Sequence, residues 1–309
     1  MRKEAITDMK GLRLGTDVGG TNLVASVVDP SFRILSKETI PAGAERSIEE
    51  ITADIVKVSR MAVEASGEDL RDFVSWGIGM PSCVNPATGL LVHANCFGWK
   101  NVPIYSYLEG KLPLPLKIEN DANCAALGET LAGAAKGHKN AIMLTLGTGV
   151  GGGIVLDGKI YAGADRMGAE LGHSKLVYDG EQCTCGQKGC LEAYCSATAL
   201  IRDARRALDP SITGAKEVFD AAAEGNPVAL ELIDRYTSML CAGMSTFITI
   251  FRPEVIILGG GVANAGEALF SRIREKLPAL TFGAGQIGVP PVVPAVLGSD
   301  AGIIGAAFL

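Results

Sequence analysis

The sequence predicts an α/β protein of two lobes with mixed sheets, and three observations carry that reading. The chain has 309 residues, more than one small core needs and comfortable for two lobes of about 100–200 residues each. Apolar strand-like runs alternate with helical periodicities along most of it. Two glycine clusters sit between apolar strands and read as β-hairpins, which excludes a purely parallel sheet. Glycine, at 39 residues, is roughly twice ordinary usage. That predicts many tight turns, or places where backbone must approach a ligand closely.

Taken in order, Leu12–Leu14 enters the first strand, Gly19-Gly20 turns it, and Leu23–Val28 returns. Ile48, Ile51, Ile55, Val58 and Ala62 recur at helical spacing over 47–66, and Gly67 ends that helix. Val74–Ile78 reads as a buried strand followed by a loop from Pro81 to Trp99. Leu116–Ile118 is a further strand, and an alanine-rich helix runs from Asp121 to Gly133 behind Asn120. Ala141–Leu146 is a strand before the second glycine cluster. The rest repeats the alternation: helices near 217–223 and 227–249, strand Val255–Leu258, a helix over 266–276, and a last helix after Ser299-Asp300.

Charge and cysteine content remove several classes of function. Lys plus Arg number 28 against 34 Asp plus Glu, for a net charge of −6, and there is no basic run, so a nucleic-acid partner is not expected. No apolar stretch reaches the ~18 residues of a membrane span without a charge or a glycine break. The segment Met1–Lys10 starts charged but has no apolar core, which argues against a secretory signal and for a cytoplasmic protein. The eight cysteines are then expected to be reduced. Cys83, Cys96, Cys124, Cys195 and Cys241 read as small core residues.

The two glycine clusters match each other. Leu14-Gly-Thr-Asp-Val-Gly-Gly20 and Leu146-Gly-Thr-Gly-Val-Gly-Gly152 differ only at Asp17 against Gly149. Two copies of one strand–turn–strand unit suggest two related lobes facing each other. The second copy also satisfies G-x-G-x-x-G, but apolar, β-branched Ile154-Val-Leu and the turn signal Asp157-Gly158 follow it. The glycines therefore open a strand and not the helix that a dinucleotide fingerprint requires. No P-loop motif is present. What remains is a pair of hairpins whose backbone N–H groups can approach an anion, with hydroxyls from Thr21 and Thr148 beside them. Asp17 adds one carboxylate, the usual means of holding Mg²⁺ through waters beside phosphates. Ile118-Glu-Asn-Asp121 ends a strand and starts a helix. From the residues alone, Asp121 is either a general base or only that helix's N-cap.

Asp17-Val-Gly-Gly-Thr21, Glu119-Asn-Asp-Ala-Asn123, Leu146–Gly152 and Leu258-Gly-Gly-Gly261 occur here in the order of the actin-like, hexokinase-type sugar kinases. Glu170-Leu-Gly-His173, followed by Cys183-Thr-Cys-Gly-Gln-Lys-Gly-Cys190-Leu-Glu192, resembles the zinc signature of the ROK family of repressors and sugar kinases. The resemblance runs from residue 12 to the Ala301-Gly-Ile-Ile-Gly305 tail. It implies the two-lobed actin-like/hexokinase-type (ribonuclease H-like) fold with an interlobe cleft. The small lobe would be 1–120 with 300–309 returning as a helix, and the large lobe 121–299 with the zinc-binding loop.

The donor set has its own chemistry. His173 and the thiols of Cys183, Cys185 and Cys190 make a closed His/Cys₃ set, which suits a structural Zn²⁺ and leaves no position open for substrate. An iron–sulfur cluster would call for thiolates alone.

By resemblance, Asp121 is the catalytic base, and Asn95, Asn120, Glu170, His173 and Glu192 join it in contacting sugar hydroxyls. Mg-ATP is held by Asp17, Gly19, Gly20 and Thr21 in one hairpin and Gly147, Thr148 and Gly149 in the other, with Gly259, Gly260 and Gly261 near the adenosine. The implied activity is ATP-dependent phosphorylation of a hexose, glucose first, with ATP, Mg²⁺ and structural Zn²⁺ as cofactors and a homo-oligomer as the working form. The alternatives are a kinase for fructose, mannose, allose, N-acetylmannosamine or N-acetylglucosamine, and a non-catalytic sugar sensor. The repressors of the family carry a DNA-binding segment before the first hairpin. Only about eleven residues precede that strand here, too few for a helix-turn-helix.

Overall fold

The computed structural model describes residues 11–43, 45–85 and 88–309, and of Asn95 only the backbone. The segment 1–10 discussed above lies outside the described residues. The described chain divides into two compact units. The first comprises the chain up to Gly137 with Lys159–Gly168 and Ser299–Leu309, and the second His138–Gly158 with Ala169–Gly298.

In the first unit β1 (Leu12–Val18), β2 (Asn22–Val28) and β3 (Ile34–Pro41) form an antiparallel meander. Helix α1 (Ile48–Ser66) opens with a capping box, in which the Ser47 hydroxyl accepts from Glu50 N and the Glu50 carboxylate from Ser47 N. It closes at Gly67, whose φ of 72° suits a residue without a Cβ. β4 (Phe73–Met80) lies parallel to β1. The stretch expected to be a loop after Pro81 instead carries a small antiparallel sheet, β5 (Val84–Asn85), β6 (Leu90–Ala94) and β7 (Trp99–Val102). These strands are too short to show a clear alternation. After the single turn of α2 (Ile104–Leu108), β8 (Leu116–Asn120) completes the main sheet in the order β3-β2-β1-β4-β8 and leads straight into α3 (Asp121–Leu131). The core under this sheet is built from Leu14, Val18, Leu23, Ile55, Trp76 and Ile78. Within it Trp76 Nε1 donates to Thr16 Oγ1 at 3.0 Å, and Thr16 shares a 2.9 Å bond with Ser59.

In the second unit β9 (Ala141–Leu146) pairs antiparallel with β10 (Val150–Leu156) and parallel with β12 (Val255–Gly259), which pairs parallel with β13 (Val292–Pro294). After β10 the chain makes β11 (Lys159–Ile160), which belongs to the first unit and lies against α3 there; the second unit resumes with α4 (Glu192–Cys195), α5 (Ala197–Ala207), α6 (Ala215–Ala223) and the long α7 (Pro227–Phe251). Asn226 caps α7 through Val228 N and Ala229 N, with Pro227 in the first turn where its missing N–H costs nothing. Helices α8 (Glu267–Leu280) and α9 (Ala284–Ile287) follow, and α7 and α8 pack on the sheet to bury Leu240, Met244, Phe270 and Ile273.

In this division α3 belongs to the first unit, across the break expected between residues 120 and 121. The cause is backbone-to-backbone packing with the last helix, α10 (Asp300–Ala307). A Cβ built on Gly128 would stand 2.1 Å from the Ala301 carbonyl oxygen, and one on Gly305 1.7 Å from that of Cys124. On its other side α10 meets the sheet equally closely, with a Cβ on Gly77 falling 1.7 Å from Ala306 O. Gly305→Val is therefore expected to cost about 3 kcal/mol or more, or to abolish folding. A melting curve within about two degrees of wild type would contradict this packing.

Candidate active site

Asp17 stands one residue before the end of β1, opposite Gly79 of β4. It is half-buried with Gly79 and Gly302 beside it: a Cβ on either would be in ordinary contact, 3.5 Å from its Oδ1. The Gly79 position is also 3.6 Å from Asp121 Cα, so the two acids flank one glycine at the sheet's end. Burial first, and then the charge of Asp121, push the Asp17 carboxyl up to about 7, with Lys37 opposing. Lys37 is itself paired with Asp300 at 2.5 Å. A half-buried acid raised by its neighbour fits a site that takes a divalent cation, whose charge would offset both carboxylates.

The structure separates the two readings of Asp121. The cap of α3 is Asn120, whose Oδ1 accepts from Ala122 N at 2.9 Å and Asn123 N at 3.1 Å. Asp121 is the first helical residue, half-buried, with Oδ1 accepting from Ala122 N at 2.7 Å. Beneath this pair lies a group the motif reading passed over. Glu119 is 3% exposed; it accepts from Asn120 N at 2.9 Å and Asn123 Nδ2 at 3.1 Å, and forms an ion pair with Arg166. Arg166 itself sits in left-handed backbone, φ 61°. Glu119 was visible as part of the motif, but nothing near Arg166 in sequence announces its partner.

The turn after β1 spans 19–22, with Gly19 N donating to Asn22 O at 2.9 Å and Thr21 exposed. Gly20 lies against Cys96, whose Cβ is 3.0 Å from where a Cβ on Gly20 would be. Cys96 is exposed and Cys83 partly so, which corrects the expectation that both are core residues. The side chain of Asn95 lies outside the described residues.

In the second unit the turn is 147–149. Matching letters thus occupy different places: Gly19-Gly20 turn the first hairpin, whereas Gly151 and Gly152 lie within β10. The Gly147 carbonyl accepts from Ala197 N at 2.8 Å and that of Thr148 from Thr198 Oγ1 at 2.7 Å. Across a planar trans peptide these bonds aim the N–H groups of Thr148 and Gly149 away from α5, the orientation an anion site uses. Gly260, φ 84°, packs where a Cβ would meet Leu146 O at 2.5 Å, and Gly259 lies against Met143. Beside Gly261 there is open space.

His173 ends a short 3₁₀ turn, Leu171–His173, behind exposed Glu170. Its ligating atom and the sulfurs of Cys183, Cys185 and Cys190 all lie within 4.8 Å of one another. His173 Nδ1 is 3.6 Å from Cys183 Sγ, and the sulfurs of Cys185 and Cys190 are 3.7 Å apart. A zinc tetrahedron with bonds of roughly 2.3 Å to sulfur and 2.0 Å to nitrogen has edges of roughly 3.6–3.8 Å, so the residues fit that ion. Nδ1 faces the quartet, which leaves Nε2 on the ring's far edge. Glu192 Oε2 accepts from Val150 N at 3.0 Å, and Oε1 from Thr184 Oγ1 at 2.6 Å and Cys183 Sγ at 3.3 Å. The role of Thr184 was not visible in the signature.

Because folding raises the Asp17 pKa, the folded chain holds a proton that the unfolded chain releases near pH 4. Stability from this group is therefore lost as pH rises from about 4 to about 7 and is level beyond. Asp17→Asn removes that loss. The ligand-free variant should gain on wild type between pH 5 and pH 8, by a few degrees in Tm, on the order of 2–4 °C per kcal/mol. An equal Tm difference at both pH values would contradict the raised Asp17.

Comparison with known proteins gives the family. The model of the ROK family matches residues 13–309. A glucokinase of Thermotoga maritima is 37% identical, with the match covering 96% of each chain. The ROK hexokinase of Thermus thermophilus superposes with a TM-score of 0.83 at 34% identity, covering 96% of both chains. A ROK family glucokinase of Streptomyces griseus, solved with glucose and AMPPNP, gives 0.78 at 34% identity, covering 96% of this chain and 98% of its own. With both glycine hairpins, the acidic helix start and the His/Cys₃ loop in place along nearly its full length, the chain belongs to the ROK family.

Proposed function

We propose that this protein transfers the γ-phosphoryl group of ATP to the 6-hydroxyl of a hexose, with glucose as the preferred acceptor. The observation that carries the reading is Asp121: a half-buried carboxylate at a strand–helix junction whose capping duty is performed by Asn120. An acid at such a junction is placed for chemistry. The glucokinase relatives, one of them solved with glucose and an ATP analogue, support the choice of substrates.

In this mechanism Asp121 accepts the proton of the attacking hydroxyl. Phosphoryl transfer passes through a loose transition state, so proton loss comes late and an acid of ordinary strength suffices. The amide of Asn120 and the side chains of Glu170, His173 and Glu192 hold the sugar's other hydroxyls, His173 through Nε2. The N–H groups of the two glycine turns bind phosphate oxygens, and Gly261 leaves room for the adenosine. Asp17 would hold Mg²⁺, which neutralises charge on the phosphates when bound. His173, Cys183, Cys185 and Cys190 would hold Zn²⁺, a closed structural ion that takes no part in the reaction. A cytoplasmic setting and the family's homo-oligomer belong to the same proposal. No helix among the described residues is long and apolar enough to cross a membrane.

Asp121→Asn keeps the hydrogen-bonding shape and removes the base. It should lower kcat by about 10²–10⁴ while glucose affinity, measured by calorimetry, stays within about tenfold. Asp17→Ala should raise the KM for Mg-ATP and shift the magnesium dependence more than it changes the KM for sugar. An ADP-release assay across glucose, fructose, mannose, allose and the N-acetylated amino sugars tests the acceptor. Turnover of Asp121→Asn near wild type would remove Asp121 as base, and release of ADP with none of these sugars would overturn the proposal.

A further inference from the structure

We propose that the His/Cys₃ site braces the second glycine hairpin, so that metal loading sets the affinity for the nucleotide before any sugar is bound. The inference rests on the reading of 147–149 as a phosphate-binding turn, and goes beyond the positioning of sugar-contacting residues.

The two ends of the ligand set both grip the start of β10. At the far end, Glu192 follows ligand Cys190 by two residues, and its carboxylate joins Thr184, which lies between ligands Cys183 and Cys185, to the backbone N–H of Val150. Neither donor is lost when the cysteines become thiolates. The approach is close: a Cβ on Gly149 would fall 2.4 Å from Glu192 Oε2, so a side chain there would push the carboxylate from Val150 N. At the near end, Gly172 precedes ligand His173, and a Cβ there would fall 1.9 Å from Val150 O. Leu171 covers Gly152, with its Cβ 2.7 Å from the Cβ position of that glycine. One residue, Val150, thus has its N–H held from one side of the metal loop and its carbonyl packed against the other.

The loop between these ends has little regular structure of its own. It is held by the single bridges Lys175 to Cys190 and Gln182 to Lys188 and by turn hydrogen bonds such as Cys183 N to Gln187 O and Gly189 N to Glu181 O. An ion bound by this segment adds to its order, because the free energy of metal binding is also folding free energy. When the ion leaves, Thr184 and Glu192 lose their fixed separation and Val150 N–H loses its acceptor. The adjoining N–H groups of Thr148 and Gly149 then lose the order that pre-organises them for phosphate.

The test compares four full-length samples: metal-loaded wild type with zinc quantified by elemental analysis, chelator-stripped wild type, and loaded Thr184→Val and Thr184→Ser. Two quantities are read without sugar: AMPPNP affinity by calorimetry at fixed Mg²⁺, and amide exchange of the peptide containing Val150. Stripping should weaken AMPPNP binding about tenfold or more and speed exchange at Val150. Thr184→Val should keep its zinc and weaken AMPPNP about threefold to tenfold, less than the full worth of one hydrogen bond to a charged acceptor because the loss reaches the nucleotide only through Val150, while Thr184→Ser restores wild-type affinity. Unchanged AMPPNP affinity and unchanged Val150 exchange in zinc-loaded Thr184→Val would overturn the brace, even if stripped protein unfolds. Failure of loaded wild type to bind AMPPNP would instead overturn the kinase reading and the nucleotide half of this proposal with it.

Discussion

One constraint shapes the end of the first unit's sheet: two carboxylates, Asp17 and Asp121, stand on either side of Gly79, and Asp17 is half-buried there. Much of the surrounding sequence serves to bring them there. Asn120 takes over the capping of α3, Glu119 anchors the strand end from below with Arg166 as its counter-charge, and Asp17 lies against Gly79 and Gly302. Such an arrangement is costly to the unliganded chain. Half-burial and a like-charged neighbour raise Asp17 to about 7, where an isolated surface aspartate would be ionised and well solvated. In the proposed function a cation brought in with the nucleotide would offset that cost.

The second unit meets a related need by different means. Its hairpin has glycine where the matching letter of the first is aspartate, and the carboxylate arrives from a distant helix, through Glu192 on Val150 N. The residues that hold Glu192 and Val150 are neighbours in sequence of the four metal-ligand candidates, and Cys183 and Cys190 are part of the apolar core. Metal site, hairpin and core are therefore one packed object. This is why the closed ligand set, with no position for a substrate, can still bear on binding.

Much of this was legible before any coordinates. The capping box of α1, the Gly67 stop and the Asn226-Pro227 start of α7 are local chemistry and stand where the residues put them. The His/Cys₃ quartet was legible because ligands must be particular residue types at short spacing. What sequence obscured was long-range. Six matching letters of seven suggested equivalent hairpins, but their turns fall at 19–22 and 147–149, because strand ends are set by pairing partners such as Gly79 and by anchors such as Ala197 N, neither of them nearby in sequence. Arg166 carries no motif, and its pairing with Glu119 spans 47 residues. The place of α3 in the first unit has the same origin: the contacts of Gly128 and Gly305 join the middle of the chain to its last helix.

The most direct measurement follows the phosphorus. Purified, metal-loaded protein is incubated with Mg-ATP and either glucose or 6-deoxyglucose, and the products are read by ³¹P NMR. The expected result is a phosphomonoester formed one-for-one with ADP from glucose, and none from 6-deoxyglucose. Inorganic phosphate in place of the ester, or equal ester from the 6-deoxy sugar, would contradict transfer to the 6-hydroxyl with Asp121 as its base.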